Sequence, residues 1–345
     1  MSVRFRELLK KVGSGPHTGK ELSRAEAAEA LALIWDGSAT PAQIGAFLIA
    51  HRIRRPTGVE LAGFLDTYRR HLPSLNGQGL SRGAVVLGYP YDGRSRTAPL
   101  GPLLALLLAA AGQPVVLHGS GRVATKSGVP LIELWDQLGV NWRGRAIATL
   151  NHTLAQVGIA QLHQPEVLPA AEVVNGYREE LGKRPPLATT ELMLCPVSDA
   201  AWVVSGFVHP PTEGMIRDAL SQQGQSCFLT AKGLEGSPEL PRDRAVILGR
   251  QELEIWERVI LHARDHQLGG AEVTWTDTAT WQRQAQSLLA GTDSVLRPGL
   301  LWNGGVYLWQ LGLATNLEAG LARAQSLLET GGLAQHLDRL RTALG

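Results

Sequence analysis

Two stretches of the chain gather side chains suited to gripping an anion. The first runs Gly88-Tyr89-Pro90-Tyr91-Asp92-Gly93-Arg94-Ser95-Arg96, the second Leu117-His118-Gly119-Ser120-Gly121-Arg122-Val123-Ala124-Thr125-Lys126. Together they supply Arg94, Arg96, Arg122 and Lys126, the hydroxyl of Ser95, the imidazole of His118 and the small residues Gly88, Gly93 and Gly119. Guanidinium forks pair bidentately with phosphate oxygens, and glycine lets backbone N–H groups approach a ligand. The chemistry expected of them is phosphate binding. The same residue types also suit two solvated loops, and a lone histidine such as His118 is more often structural than catalytic. Cys195 and Cys227 are too few for a disulfide framework or a four-ligand zinc site, and read as buried thiols.

The flanking pattern says how these stretches are held. Ala84-Val85-Val86-Leu87 predicts a short buried strand ending at Gly88, Leu103 to Ala111 a helix, and Val115-Val116-Leu117 a second strand. Strand, loop, helix, strand at this length is a βαβ unit, hence parallel pairing. Both stretches then lie at the carboxyl edge of a sheet, where open parallel sheets bind ligands. Further strands are expected at Trp202–Val204, Cys227–Leu229 and Ala245–Leu248, and helix again from about Val306 to Leu344. The first 72 residues read instead as three short helices, started by capping boxes at Ser23 with Glu26, Thr40 with Gln43 and Thr57 with Glu60. Residues 73–83 read as a linker. The expected fold class is α plus α/β: a small N-terminal helical domain beside a larger α/β domain with a mainly parallel central sheet flanked by helices.

Composition narrows the function classes. With 44% hydrophobic and 19% charged residues over 345 positions, the chain has the material for packed cores and is no disordered segment. Its longest apolar run, Leu103 to Ala111, falls far short of the ~20 residues of a membrane helix, and its opening lacks the apolar core of a signal peptide. A cytoplasmic protein with no membrane partner is expected. The net charge of +2 hides an asymmetry: residues 1–190 hold 21 basic and 14 acidic side chains, against 12 and 17 in residues 191–345. A basic half invites an anionic partner. The small overall excess, and the lack of any helix-turn-helix, zinc-finger or RNA-recognition signature, argue against a standard duplex reader.

In order and spacing the chain resembles anthranilate phosphoribosyltransferase and its glycosyltransferase family 3 and nucleoside phosphorylase relatives. Gly37 to Phe64 is similar to the family's N-terminal domain, and His118 to Gly128 sits where the family carries a lysine-histidine-glycine-asparagine loop. Gly176 to Arg184 resembles the segment with its anthranilate-facing arginine, which implies Arg178 as the counterpart, and Asn303 to Leu337 resembles its C-terminal helices. The resemblance implies the family fold and a homodimer formed through helices within residues 1–72. The chain then divides into a helical domain at 1–72, with a helical return at about 167–188, and an α/β domain at 80–166 and 189–345.

The departures bear on function. Tyr89, Pro90 and Tyr91 stand between Gly88 and Asp92-Gly93, where the family has a Gly-Thr-Gly-Gly-Asp pyrophosphate loop. Thr97-Ala98-Pro99-Leu100 replaces its Asn-x-Ser-Thr, Leu117 its lysine, Ser120 its asparagine and Leu168 a histidine. Pro238-Glu239 replaces the Asp-Glu pair that holds magnesium, leaving Glu239 as a remnant. Pro90 lacks an N–H donor, and two tyrosines fill space where pyrophosphate would approach. Phosphoribosyl transfer depends on positioning and charge stabilisation. A diverged group of the family carries basic residues after a Tyr-Asp-Gly loop, as Tyr91 to Arg96 does here, and implies nucleic-acid binding through a basic groove. The main expectation is therefore a non-catalytic homologue without a cofactor. It would bind nucleic acid or a phosphorylated small molecule through Arg94, Ser95, Arg96, His118, Arg122 and Lys126, with Gly88, Asp92, Gly93, Gly119 and Arg178 in the cleft. The alternative is an active phosphoribosyltransferase with altered acceptor or metal use, with Mg2+ as its cofactor. A third reading is a binding protein for a phosphorylated metabolite.

Overall fold

The structure, a computed structural model, describes residues 2–15, 17–199 and 201–345. Four helices open the chain rather than three: α1 (Val3–Gly13), α2 (Arg24–Trp35), α3 (Pro41–Arg54) and α4 (Gly58–His71). The unexpected α1 is capped by the Ser2 hydroxyl and buries Phe5, Leu8 and Val12, with the Phe5 and Phe47 rings 5.2 Å apart. Its charged residues, Arg4, Arg6, Glu7, Lys10 and Lys11, obscure that apolar spacing in the sequence. All three capping boxes form, each satisfying two amides that a helix start would otherwise leave orphaned.

The α/β part begins with β1 (Val85–Gly88), α5 (Gly101–Ala110), β2 (Val115–Gly119), α6 (Leu131–Gln137), α7 (Ile147–Val157) and β3 (Ile159–His163). Short helical pieces follow, α8 (Gln164–Val167), α9 (Val173–Leu181) and α10 (Leu187–Thr190), then β4 (Trp202–Phe207), α11 (Pro210–Gln222) and β5 (Cys227–Lys232). An antiparallel hairpin, β6 (Val246–Glu252) and β7 (Ile255–Leu261), precedes α12 (Thr278–Leu289), α13 (Arg297–Gln310), α14 (Leu317–Glu329) and α15 (Gly332–Leu344). The C-terminal helical region thus starts earlier than Val306. Among the described residues, no helix is long and apolar enough to cross a membrane.

The seven strands form one sheet in the order β3-β2-β1-β4-β5-β6-β7, parallel from β3 through β5 and antiparallel over the last two. A mainly parallel sheet flanked by helices is what the pattern predicts; β3 and β7 are additional. Side chains alternate across the strands. Val204 and Leu229 join a core with Leu103, Trp302, Tyr307 and Leu337, whereas Val203 and Phe228 join Phe47, Phe64 and Ile216. The helical domain and α11 therefore cover one sheet face, and α5 with the C-terminal helices the other. Residues after α4 tie back to the sheet: Leu75 N donates to Pro196 O at 2.8 Å and Ser198 N to Leu75 O at 2.9 Å.

From β1 the chain winds to β2 and β3 on one side, while β4 and β5 extend the other side. The strand order reverses between β1 and β4, and the crevice outside the carboxyl ends of those two strands is where this topology binds ligands.

Candidate functional site

At that crevice lies an open trough of about 800 Å³, bounded by the end of α3, the loop after β1, the segment before α10 and the turn from β4 into α11. Five cationic side chains line it: Arg52 and Arg55 from the helical domain, with Arg96, Lys126 and Arg184 facing them. Arg55 holds a φ of 69°, an unfavourable setting for a side chain, where α3 stops ahead of Pro56. Glu235 is the single carboxylate among the lining residues. Its oxygens accept from the amides of Ser95 (3.3 Å), Arg96 (3.1 Å) and Thr97 (3.1 Å). Burial would raise its pKa, but these amides, with Lys126 nearby, draw it down to about 2. The trough keeps a cationic character. Burial lowers the Lys126 pKa from its ordinary value, and its Nζ stands 3.6 Å from Glu235.

Only part of the expected phosphate-binding set reaches this trough. Arg96 is there, with 75% of its side chain exposed, as is Lys126, and Ser95 is exposed beside them. Arg94 is not a surface contact: it is 1% exposed and its guanidinium donates to Glu239 and Thr97. Arg122 is spent elsewhere, in a bidentate pair with Glu133 of α6 at 2.8 and 2.6 Å. His118 is 2% exposed, its Nδ1 3.0 Å from the Tyr91 hydroxyl, and burial lowers its pKa to about 4. It is a neutral buried imidazole at pH 7, so the expectation of a phosphate-contacting His118 is corrected.

The cleft residues behave similarly. Gly88 abuts the chain after α10, where an added Cβ would lie 2.0 Å from Leu192 O, so its smallness serves packing and not ligand approach. Asp92 is buried and gripped by Arg184, with Thr125 Oγ1 at 3.3 Å. Gly93, at φ 68°, crosses Gly128 closely, whereas an added Cβ at Gly119 would meet only Gln161 Nε2 at an ordinary 3.9 Å. Arg178 lies 2% exposed and pairs with Glu191, so its guanidinium is not presented to the trough. The N-terminus of α5, a natural anion site, is filled from within: Glu239 accepts from Leu100 N at 2.7 Å, and the buried Tyr89 ring packs against Gly101. Arg52, Arg55, Arg184 and Glu235 were not expected as site residues. The basic run Arg52 to Arg55 before Pro56 and the Lys183-Arg184 pair before two prolines were the available signals.

Residues 6–72 match the helical bundle domain of a glycosyl transferase family, and residues 94–334 match its α/β domain. The chain is 31% identical over 333 residues to an anthranilate phosphoribosyltransferase of Anaeromyxobacter dehalogenans, covering 94% of this chain and 95% of that one. A Mycolicibacterium vanbaalenii anthranilate phosphoribosyltransferase is 26% identical over 343 residues, covering 93% of this chain and 90% of that one. Among solved structures, the Thermus thermophilus enzyme superposes with a TM-score of 0.81 at 22% identity, over 98% of this chain and 99% of that one. The Saccharomyces cerevisiae enzyme in complex with PRPP and Mg gives 0.83 at 15% identity, over 100% of this chain and 98% of that one. Sequence and fold agree along nearly the whole length, and the chain belongs to the glycosyl transferase family that includes anthranilate phosphoribosyltransferase.

Proposed function

We propose that the protein is a transferase of this family that takes a phosphorylated pentose of the phosphoribosyl pyrophosphate type in the trough. One observation carries the reading: the crevice at the strand-order reversal presents five cationic side chains against a single carboxylate that loop amides already satisfy. Departing pyrophosphate develops charge, and preorganised cations at that position lower the barrier. Arg96 and Lys126 hold the anionic end, Arg184 is fixed by Asp92 beside them, and Arg52 and Arg55 close over it from the helical domain. The acceptor differs from anthranilate. Arg178, which the family resemblance makes the carboxylate partner, is buried and neutralised by Glu191, and His118 carries no charge. A divalent metal does not fit the family position for it: Pro238 has no side-chain oxygen, and the Glu239 oxygens are taken by Arg94 and Leu100 N.

Calorimetry of the purified chain with phosphoribosyl pyrophosphate, followed by pyrophosphate release over a panel of aromatic amines and nitrogen heterocycles, tests this reading. Saturable binding and release with an acceptor other than anthranilate are expected. No binding at millimolar ligand would overturn it. The nucleic-acid reading keeps one favouring observation, that the cations sit on both walls of an open trough instead of a closed glycine-lined pocket. Oligonucleotides titrated at two salt concentrations separate the two. Binding tighter than that of the pentose, with a steep salt dependence, would favour the polyanion.

A further inference from the structure

We infer that Arg94 is a resident cation built into the fold at the family's metal position, ordering the loop after β1 without a divalent ion. Two buried carboxylates converge there from the segment after β5. Glu239, 0% exposed, meets the Arg94 guanidinium with one oxygen and accepts from Leu100 N with the other. Glu235 takes three loop amides and the Thr97 hydroxyl at 3.0 Å, and stands 3.8 Å from Arg94 Nε. Arg94 also donates to Thr97, so one guanidinium ties both carboxylates to the loop that carries it. Arg94 neutralises Glu239, while Arg96 and Lys126 each stand 3.6 Å from Glu235 on its outer side.

The backbone is shaped for this inward arginine. An added Cβ at Gly93 would lie 2.5 Å from Gly128 C, and one at Gly128 would lie 2.5 Å from Arg94 N. The two loops therefore cross through paired glycines, and the pairing of Arg94 with Val129 fixes the chain direction at that point. The Pro238 carbonyl is engaged as well, accepting from the Tyr307 hydroxyl. A hard cation needs several free oxygens at close range, and here the carboxylate oxygens of Glu235 and Glu239 and the Pro238 carbonyl already accept hydrogen bonds. A metal would bind reversibly and bridge outward to ligand. Arg94 is permanent and faces inward, so contact with an anion falls to Arg96 and Lys126 on the outer side. The inference concerns loop order and stands whether or not the chain transfers a pentose.

Manganese titration of the whole protein, followed by the resonance of free Mn2+, tests it directly. The parent should show no saturable Mn2+ site. Arg94→Ala should gain one, at least about tenfold tighter than any parent binding, with a melting temperature that rises on adding Mn2+. Adding Glu239→Gln to that variant should remove the gain, and Arg94→Lys, which keeps the charge, should resemble the parent. A parent that binds Mn2+ at a site lost in Glu239→Gln overturns the inference, and so does a folded Arg94→Ala with no new site. If Arg94→Ala does not fold, the comparison of the parent with Glu239→Gln decides alone.

Discussion

Arg94 and Arg96 are two residues apart, yet they do opposite work. The sequence supplies both with the same chemistry, and only the tertiary setting separates them: one turns in to Glu239, the other reaches out with three-quarters of its side chain exposed. Charge patterning cannot tell an outward cation from a buried strut, because the carboxylates that recruit Arg94 lie some 140 positions away in the chain. The same applies to Arg178, whose Glu191 partner converts a presumed ligand group into a buried pair. The contrast is measurable. Removing one partner of a buried pair leaves the other charge uncompensated, so Arg94→Ala should cost about 3–5 kcal/mol in urea unfolding. Arg96→Ala combined with Lys126→Ala should move stability by only about 1 kcal/mol. That double variant should weaken phosphoribosyl pyrophosphate binding by about tenfold or more, as charge-assisted hydrogen bonds to the ligand are lost. Equal unfolding midpoints for the two variants would contradict the assignment.

At the level of elements, local rules were legible wherever they acted locally. The three capping boxes needed only residues three apart, and all form. The strands β3 and β7 escaped notice for different reasons. Ile159 to His163 carries Gln161 and His163 inside a buried strand, and Ile255 to Leu261 is a partly exposed edge with Glu257 and Arg258. The third box does more than cap. Glu60 of α4 is 0% exposed and accepts from Leu22 N (2.8 Å), Thr57 N (2.8 Å) and Arg54, with His51 at 3.4 Å, joining α4 to the chain before α2 and to α3. Burial opposes its ionisation, but His51, Arg54 and the Leu22 amide draw its pKa from 4.5 down to about 2. A carboxylate with a folded pKa below its unfolded value contributes stability that is present above the unfolded pKa and is lost as pH falls towards the folded one. Stability should therefore decline between pH 4.5 and about 2, with Glu60 contributing up to about 3 kcal/mol and Glu235 titrating in the same window. Glu60→Gln should be less stable at neutral pH and should show a shallower acid limb in chemical unfolding. An acid limb identical to the parent's would remove Glu60 from this role.

The trough exists only in the whole molecule. Arg52 and Arg55 close the helical domain's third helix, Arg184 precedes α10, and Arg96 and Lys126 follow two different strands. No sequence window contains them, and this is why the two stretches singled out in the sequence hold only Arg96 and Lys126 of the five lining cations. The two walls belong to parts of the chain joined by crossings that pair at Leu75 and Val197, beside a separate cavity of about 290 Å³ lined by Leu72, Ser74 and Leu194 to Ser198. A ligand held by cations on both walls gains its full Coulomb energy only when the walls approach, so binding and closure are coupled. Phosphoribosyl pyrophosphate should accordingly reduce the radius of gyration in solution scattering. Arg52→Ala with Arg55→Ala should abolish that compaction and weaken binding several-fold, although both residues belong to the helical domain and not to the strand-end loops on the opposite wall. The melting temperature of the unliganded variant should stay close to the parent's, because exposed cations at a helix terminus contribute under ~1 kcal/mol. Compaction that persists undiminished in the double variant would show that the helical domain does not grip the ligand, and the anion site would then shrink to the loops after β1 and β2.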